Sequence, residues 1–133
     1  MHAGLCSRIL NQTLEYRLRN DVFTCGLLHD LGKVAVRHYA PDAYASVVKL
    51  ARGGLPYREA ERHVLRADHA MIGYWIGQRW MFPTHFNECL RRHHDLPPMA
   101  STQLEQQVTL TALGNLLAHA VARAGVVIAR RAC

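Results

Sequence analysis

Residues 26–33 read Gly26-Leu27-Leu28-His29-Asp30-Leu31-Gly32-Lys33, and this stretch decides how the rest of the chain is organised. An apolar run leads directly into an adjacent imidazole and carboxylate, so a buried segment ends by presenting two metal-ligand side chains together. Imidazole suits borderline metals such as zinc, iron or nickel, while a carboxylate offers two oxygens and can bridge two cations. A His-Asp pair by itself is a weak signal, because most histidines are ordinary partly buried side chains. Distant histidines strengthen it. His2 begins the first helical pattern, His69 opens a later one in Asp68-His69-Ala70-Met71-Ile72-Gly73, and His93-His94 close another before Asp95.

Outward from this stretch the chain reads as helices. Leu5, Ile9, Leu10 and Leu14 recur at helical spacing over His2 to Arg19, with Arg8, Glu15, Arg17 and Arg19 on the wet side. Asn20-Asp21 supplies a turn and an N-cap for a second helix from Val22 to the His-Asp pair, with Val22, Phe23, Leu27, Leu28 and Leu31 as its core. Gly32 ends or bends that helix, and a short helix follows over Val34 to Tyr39. Pro41 to Leu50 or Ala51 forms another, stopped by Gly53-Gly54, and Pro56 starts the next, ending at Arg66. Glu59, Glu61, Arg62 and Arg66 are assigned to its exposed side.

Asp68 caps His69 to Trp80, where Met71, Ile72, Trp75 and Ile76 share a face and Gly73 and Gly77 let a neighbour approach. Pro83 to His94 is helical with Phe86, Cys89 and Leu90 inward. Leu96-Pro97-Pro98-Met99 is a loop. Thr102 and Glu105 have capping-box spacing at the start of a long helix. Its core face is built from Leu104, Val108, Leu113, Leu116, Leu117, Ala120 and Val121, with Gly125 marking its end, and Val126 to Cys133 is ambiguous. With no alternating strand pattern and no repeat, the expectation is an all-α, single compact bundle of about six or seven helices occupying residues 1–133.

Composition narrows the function classes. Of 133 residues half are apolar and a fifth charged, a globular balance. The charge of +6 comes mainly from fourteen arginines that form no run longer than two. Only Arg58, Arg62 and Arg66 make a helical stripe, which reads as a solvated face and argues against nucleic acid as a partner. Cys6, Cys25, Cys89 and Cys133 contain no CxxC pair, so reduced thiols are expected. With no signal peptide at Met1-His2-Ala3-Gly4, they favour the cytoplasm. The most apolar window, Leu110 to Ala129, is interrupted by Asn115, His119 and Arg123, against a membrane span.

With His2, His29-Asp30, His69 and His93-His94 in this order, the chain resembles the HD superfamily of helical metal-dependent phosphohydrolases and signalling domains. Within it, the chain is closest to the HDOD family of bacterial signalling proteins. The likeness rests on residues 26–33, on Pro41-Asp42-Ala43-Tyr44, on Ala60-Glu61-Arg62 with Asp68 to Gly73, and on Gln78-Arg79-Trp80 with Pro83 and His93-His94. The resemblance implies that His2, His29 and Asp30 are the first metal ligands, with Asp30 bridging, and that His69, His93 and His94 are the extra histidines of binuclear members. One or two divalent ions (Fe, Mn, Zn or Ni) are implied. Asn115 stands where the family has a closing aspartate, and an amide oxygen brings no charge to a dication. HDOD domains generally carry helices before the first histidine. Here the expectation is that either an upstream segment is missing from this sequence or a neighbouring chain covers the apolar surface those helices would occupy, the latter predicting self-association as a homodimer.

Two readings follow. In the first, the chain is a helical output or interaction module that meets a signalling protein and keeps its histidine pocket as a structural or sensing site. In the second it is a metal-dependent phosphohydrolase or cyclic-dinucleotide phosphodiesterase, with Lys33 contacting the phosphate ester or nucleotide ligand. Apart from that role, Lys33 reads as a cation near a helix C-terminus.

Overall fold

A computed structural model describes residues 2–14, 16, 18, 21–97 and 99–131, with 125–131 described by backbone alone. The expectations placed on Glu15, Arg17, Arg19, Asn20, Pro98 and Cys133 lie outside the described residues. The all-α expectation holds. The helices are α1 (His2–Thr13), α2 (Val22–Leu28), α3 (Leu31–Tyr39), α4 (Pro41–Arg52), α5 (Tyr57–Leu65), α6 (His69–Arg79), α7 (Thr84–Arg92) and α8 (Gln103–Arg131), with no strand among the described residues. The chain divides into two compact units, Met1–Leu28 with Arg92–Cys133, and His29–Arg91.

In the first unit α1 packs on α2 and α8. The α1 helix stops at Thr13 rather than Arg19. The Thr13 hydroxyl bonds back to the Ile9 carbonyl and the Asn11 amide oxygen accepts from Leu18 N, so local side chains compete with continued helix. Its buried face is also not the aliphatic one expected. Ala3, Gly4 and Ser7 are buried, while Ile9 and Leu14 are exposed. Small residues face the neighbours because the backbones nearly touch: a Cβ on Gly4 would lie 2.7 Å from the Phe23 carbonyl oxygen, and one on Gly114 2.8 Å from that of Ala3.

The same close approach shifts the core of α8 to Gln107, Val108, Thr111, Ala112 and Asn115, leaving Leu116, Leu117 and Val121 exposed. The Gln107 amide donates to the Cys25 sulfur at 3.2 Å. Helix α8 continues through Gly125 to Arg131, since one glycine costs a helix only about 1 kcal/mol. Its start matches the expected capping box: Glu105 N donates to Thr102 Oγ1 and Thr102 N to the Glu105 carboxylate. Asp21 likewise caps α2, accepting from Thr24 N at 3.0 Å.

In the second unit α3 packs on α6 and α4, and α4 on α5. The chain leaves helix after Leu28, so His29 and Asp30 form a turn and Gly32 sits in the first turn of α3 instead of ending α2. A Cβ at Gly32 would run into the His69 carbonyl, and Gly73 faces it from α6. On α6, Ala70, Gly73 and Gly77 are buried, in line with the close approach expected at the two glycines, while Met71 and Trp75 point outward.

Helix α6 closes with Met81 N donating to Gln78 O and Phe82 N to Gly77 O, the Schellman pattern, which places Met81 in the left-handed region at φ 54°. Glycine is usual at that position. Cys6, Cys25 and Cys89 form no disulfide among the described residues. Among the described residues no helix is long and apolar enough to cross a membrane.

Candidate functional site

The turn between α2 and α3 and the start of α6 bring four side chains of the second unit together. Asp30 precedes the first residue of α3, and its backbone carbonyl accepts from Lys33 N at 2.9 Å. The Asp30 carboxylate lies between three groups. His29 Nε2 is 3.3 Å from Oδ2, His69 Nε2 is 3.3 Å from Oδ1, and Lys33 Nζ is 2.9 Å from Oδ1. Burial raises the Asp30 pKa, but the hydrogen bond and charge of His29 and then the charge of Lys33 outweigh it. The carboxyl is held well below the usual carboxylate range.

Lys33 is therefore at the N-terminal end of a helix and not near a C-terminus. The macrodipole disfavours a cation there. Its partner Asp30 and the Tyr57 ring, 5.4 Å from Nζ, hold it in place.

The residue that sequence reasoning missed is Glu61. Assigned to the wet side of α5, it is only 2% exposed. One oxygen, Oε2, accepts from His69 N at 3.0 Å and lies 2.6 Å from His69 Nδ1. An imidazole that donates from Nδ1 presents Nε2 outward, here towards Asp30. This carboxylate–histidine arrangement is how proteins orient an imidazole that binds a metal. A signal was available: Glu61 lies eight residues before His69, inside the Ala60-Glu61-Arg62 motif, and Ala60 beside it is fully buried.

Tyr57 flanks the group. Its phenol pKa is pushed well up, by burial first, then by its hydrogen bond with Tyr44 and by the charges of Glu61 and Asp30, so it stays a neutral hydroxyl.

Asp68 anchors α6 as expected. Its Oδ1 accepts from Met71 N at 3.1 Å, while Oδ2 takes Arg58 Nη2 at 2.9 Å and Arg62 Nη2 at 2.6 Å. Burial raises this carboxyl, but the Met71 amide and the two guanidiniums outweigh it and lower it to about 2. A folded pKa below the unfolded one contributes stability that is complete above about pH 4 and is lost as pH falls towards 2. The depressed Asp30 acts in the same direction. We expect the urea midpoint to drop between pH 5 and pH 2, and to drop less in Asp68→Asn, which keeps an N-cap acceptor. Equal drops in both proteins would rule out the Asp68 contribution.

Of the expected ligands, His29, Asp30 and His69 are thus brought together, with Lys33 among them. The others belong to the first unit. His2 is exposed at the first position of α1, His93 is buried with its ring 4.1 Å from that of His94, and Asn115 is buried on α8. His29 Nε2 and His69 Nε2 face different oxygens of Asp30, and each nitrogen–oxygen pair is of the kind that a borderline dication such as zinc, iron or nickel takes.

Comparison with known proteins gives consistent results. Residues 1–96 match the HDOD domain family. An uncharacterized protein of Treponema pallidum (strain Nichols) is 29% identical over 105 residues, which cover 78% of this chain and 20% of that protein. Among solved structures, an HDOD domain protein of unknown function from Geobacter sulfurreducens superposes with a TM-score of 0.79 at 19% identity, covering 87% of this chain and 39% of that one. A candidate phosphohydrolase from Shewanella amazonensis SB2B superposes with a TM-score of 0.68 at 21% identity, covering 86% and 43%. The chain spans about a fifth of the Treponema relative and about two-fifths of each structural neighbour.

Proposed function

Because the chain belongs to the HDOD domain family, we propose that it is a helical output or interaction module of bacterial signal transduction, working in the cytoplasm, with His29, Asp30 and His69 as a sensing or structural site. One observation carries this reading: Lys33 Nζ lies 2.9 Å from the Asp30 oxygen that His69 also faces. The carboxylate that would bridge cations already has a cation of the protein's own. The Asp30 carboxylate is paired without a metal, and a dication entering beside it must displace the ammonium.

The second reading, a metal-dependent phosphohydrolase, is favoured by the Glu61–His69 contact, which turns Nε2 towards Asp30. A dication bound there by His29, Asp30 and His69 would supply Lewis-acid polarisation of a phosphate ester and an acidified water. The residues themselves would act in simpler ways. Glu61 fixes the His69 ring, and Lys33 offers its ammonium to a phosphate oxygen. The fold shared with the Shewanella candidate phosphohydrolase is compatible with either reading.

Elemental analysis after purification without a nickel column, followed by manganese titration and hydrolysis assays on nitrophenyl phosphodiesters and cyclic dinucleotides, separates them. For the module we expect weak metal uptake and no turnover. Lys33→Met should tighten manganese binding by about tenfold, since it removes the competing charge. Turnover abolished by Asp30→Ala in a folded protein would establish the hydrolase instead, and there Lys33→Met should slow turnover.

A further inference from the structure

The outer faces of α3 and α6 enclose a cavity of about 470 Å³ lined chiefly by Leu31, Val34, Tyr39, Trp75, Ile76 and Trp80, with Arg79 and His38 among its walls. A second depression of about 260 Å³ adjoins it across Trp75, bordered by Arg62, Arg66 and Met71. Trp75 is therefore a ridge between two hollows, and it is 53% exposed. Tyr39, Trp80 and Met81 are more exposed still, Met81 at 88%. Met81 also holds its left-handed backbone where glycine would be unstrained, so a large apolar side chain is presented at some conformational cost. Contiguous exposed apolar surface on this scale marks a binding face.

Charge identifies what binds. The ionised groups around the two hollows are arginines 62, 66 and 79 and one carboxylate, Asp68. The Asp68 side chain is only 7% exposed and is held by Arg58 and Arg62. Among the described residues no carboxylate pairs with Arg66 or Arg79. A second copy of this chain would bring the same cations to a self-complementary contact and be repelled. An anionic membrane would meet the cations, but the hollows call for side chains that insert into them.

Met71, Trp75 and Arg79 lie four residues apart on α6, a stripe about 12 Å long. Such a stripe matches a partner helix presenting anchors at i, i+4 and i+7. The geometry points to a docking face for an acidic amphipathic helix of a separate protein, whose aliphatic or aromatic anchors enter the two hollows beside Trp75 while its carboxylates meet Arg66 and Arg79. This rests on the interaction-module reading but uses no residue of the His29–Asp30–His69 group.

The chain has two tryptophans, and both line the cavity, so intrinsic fluorescence reports its occupancy. The 133-residue protein is titrated, in EDTA, with helical peptides carrying leucine at i, i+4 and i+7 and glutamate elsewhere, and with matched lysine peptides. The expected result is a saturable blue shift with the glutamate peptides alone, weakened by salt. Trp75→Ala and Arg79→Glu, both at exposed positions, should each weaken binding by about tenfold or more, with unchanged circular dichroism. No shift with any glutamate peptide, or equal binding of the lysine peptides, overturns the proposal. So does a blue shift that grows with protein concentration alone, which assigns the face to self-association, or one obtained only with phosphatidylglycerol vesicles, which assigns it to a membrane. A peptide response in EDTA from protein that never takes up metal leaves this face standing while the sensing site falls.

Discussion

Replacing Glu61 with alanine is expected to cost about 4 kcal/mol of folding stability, a large share of the 5–15 kcal/mol that a domain typically has. The side chain is 2% exposed and its partner His69 is 1% exposed, so water does not reach the groups that the substitution strands. Two donors lose their acceptor at once: His69 N, at 3.0 Å, and the Nδ1 position, at 2.6 Å. Each buried donor left unpaired costs about 1–3 kcal/mol, and the space of the missing side chain adds to that. Glu61→Gln is the control. It keeps an amide oxygen for one donor and fills the volume, so its cost should stay near 1–2 kcal/mol.

The consequence reaches the site chemistry. Without an acceptor at Nδ1 nothing fixes which nitrogen of His69 faces Asp30, and affinity for added manganese should fall by about 10- to 100-fold, the usual effect of removing the group behind a metal-binding histidine. Urea denaturation and calorimetric titration of the two variants measure both effects. If Glu61→Ala lost less than about 1 kcal/mol, the role given to Glu61 would be wrong, since even one unpaired donor should cost that much.

That Glu61 was assigned to water shows where a sequence stops speaking. Features within a few residues of each other were legible. Asp68 as the cap of α6, the reciprocal Thr102–Glu105 pair and the Asp21 cap follow from short side chains meeting amides of the next turn, and all are present. The pairing of His29-Asp30 with His69 was legible through family likeness, because order along the chain carried it. What failed was the choice of buried face.

Periodicity ranks residues by apolarity, so it turns Ile9 of α1, the following Leu14, and Leu116 and Leu117 of α8 inward, and all four are exposed. The molecule instead buries Ala3, Gly4 and Ser7 of α1 and Gln107 and Thr111 of α8, while Gly73 and Gly77 of α6 are buried as their spacing implied. These helices approach closely enough that only small or internally bonded side chains fit, as where Ser7 Oγ donates to the Ala3 carbonyl at 2.9 Å and Thr111 Oγ1 to that of Gln107 at 2.9 Å. Close approach depends on two surfaces at once, and one helix's pattern carries half of that information. Trp75, on the face of α6 away from Gly73 and Gly77, forms the ridge of the proposed docking face.

Gly32→Ala tests the same principle with the second large effect. A methyl group is a small addition, yet here it would be driven into the His69 carbonyl group and to 2.9 Å from Gly73 N, and backbone atoms cannot rotate aside as a side-chain tip can. Helices α3 and α6 would have to separate. Overpacking of this kind costs about 3 kcal/mol, and the separation also stretches the 3.3 Å approach of His69 Nε2 to Asp30. Thermal unfolding should show the loss of stability, and manganese titration a loss of affinity in whatever folds.

Gly54 provides the comparison. Its Cβ would meet open space, but its φ of 103° penalises any L side chain, so Gly54→Ala should cost about 1–3 kcal/mol with metal affinity untouched. The two variants thus separate backbone strain from steric exclusion. Gly32→Ala should impair both stability and the site, whereas Gly54→Ala should impair stability alone. Normal manganese affinity in a stable Gly32→Ala protein would mean that contact between α3 and α6 does not set the distance between His69 and Asp30.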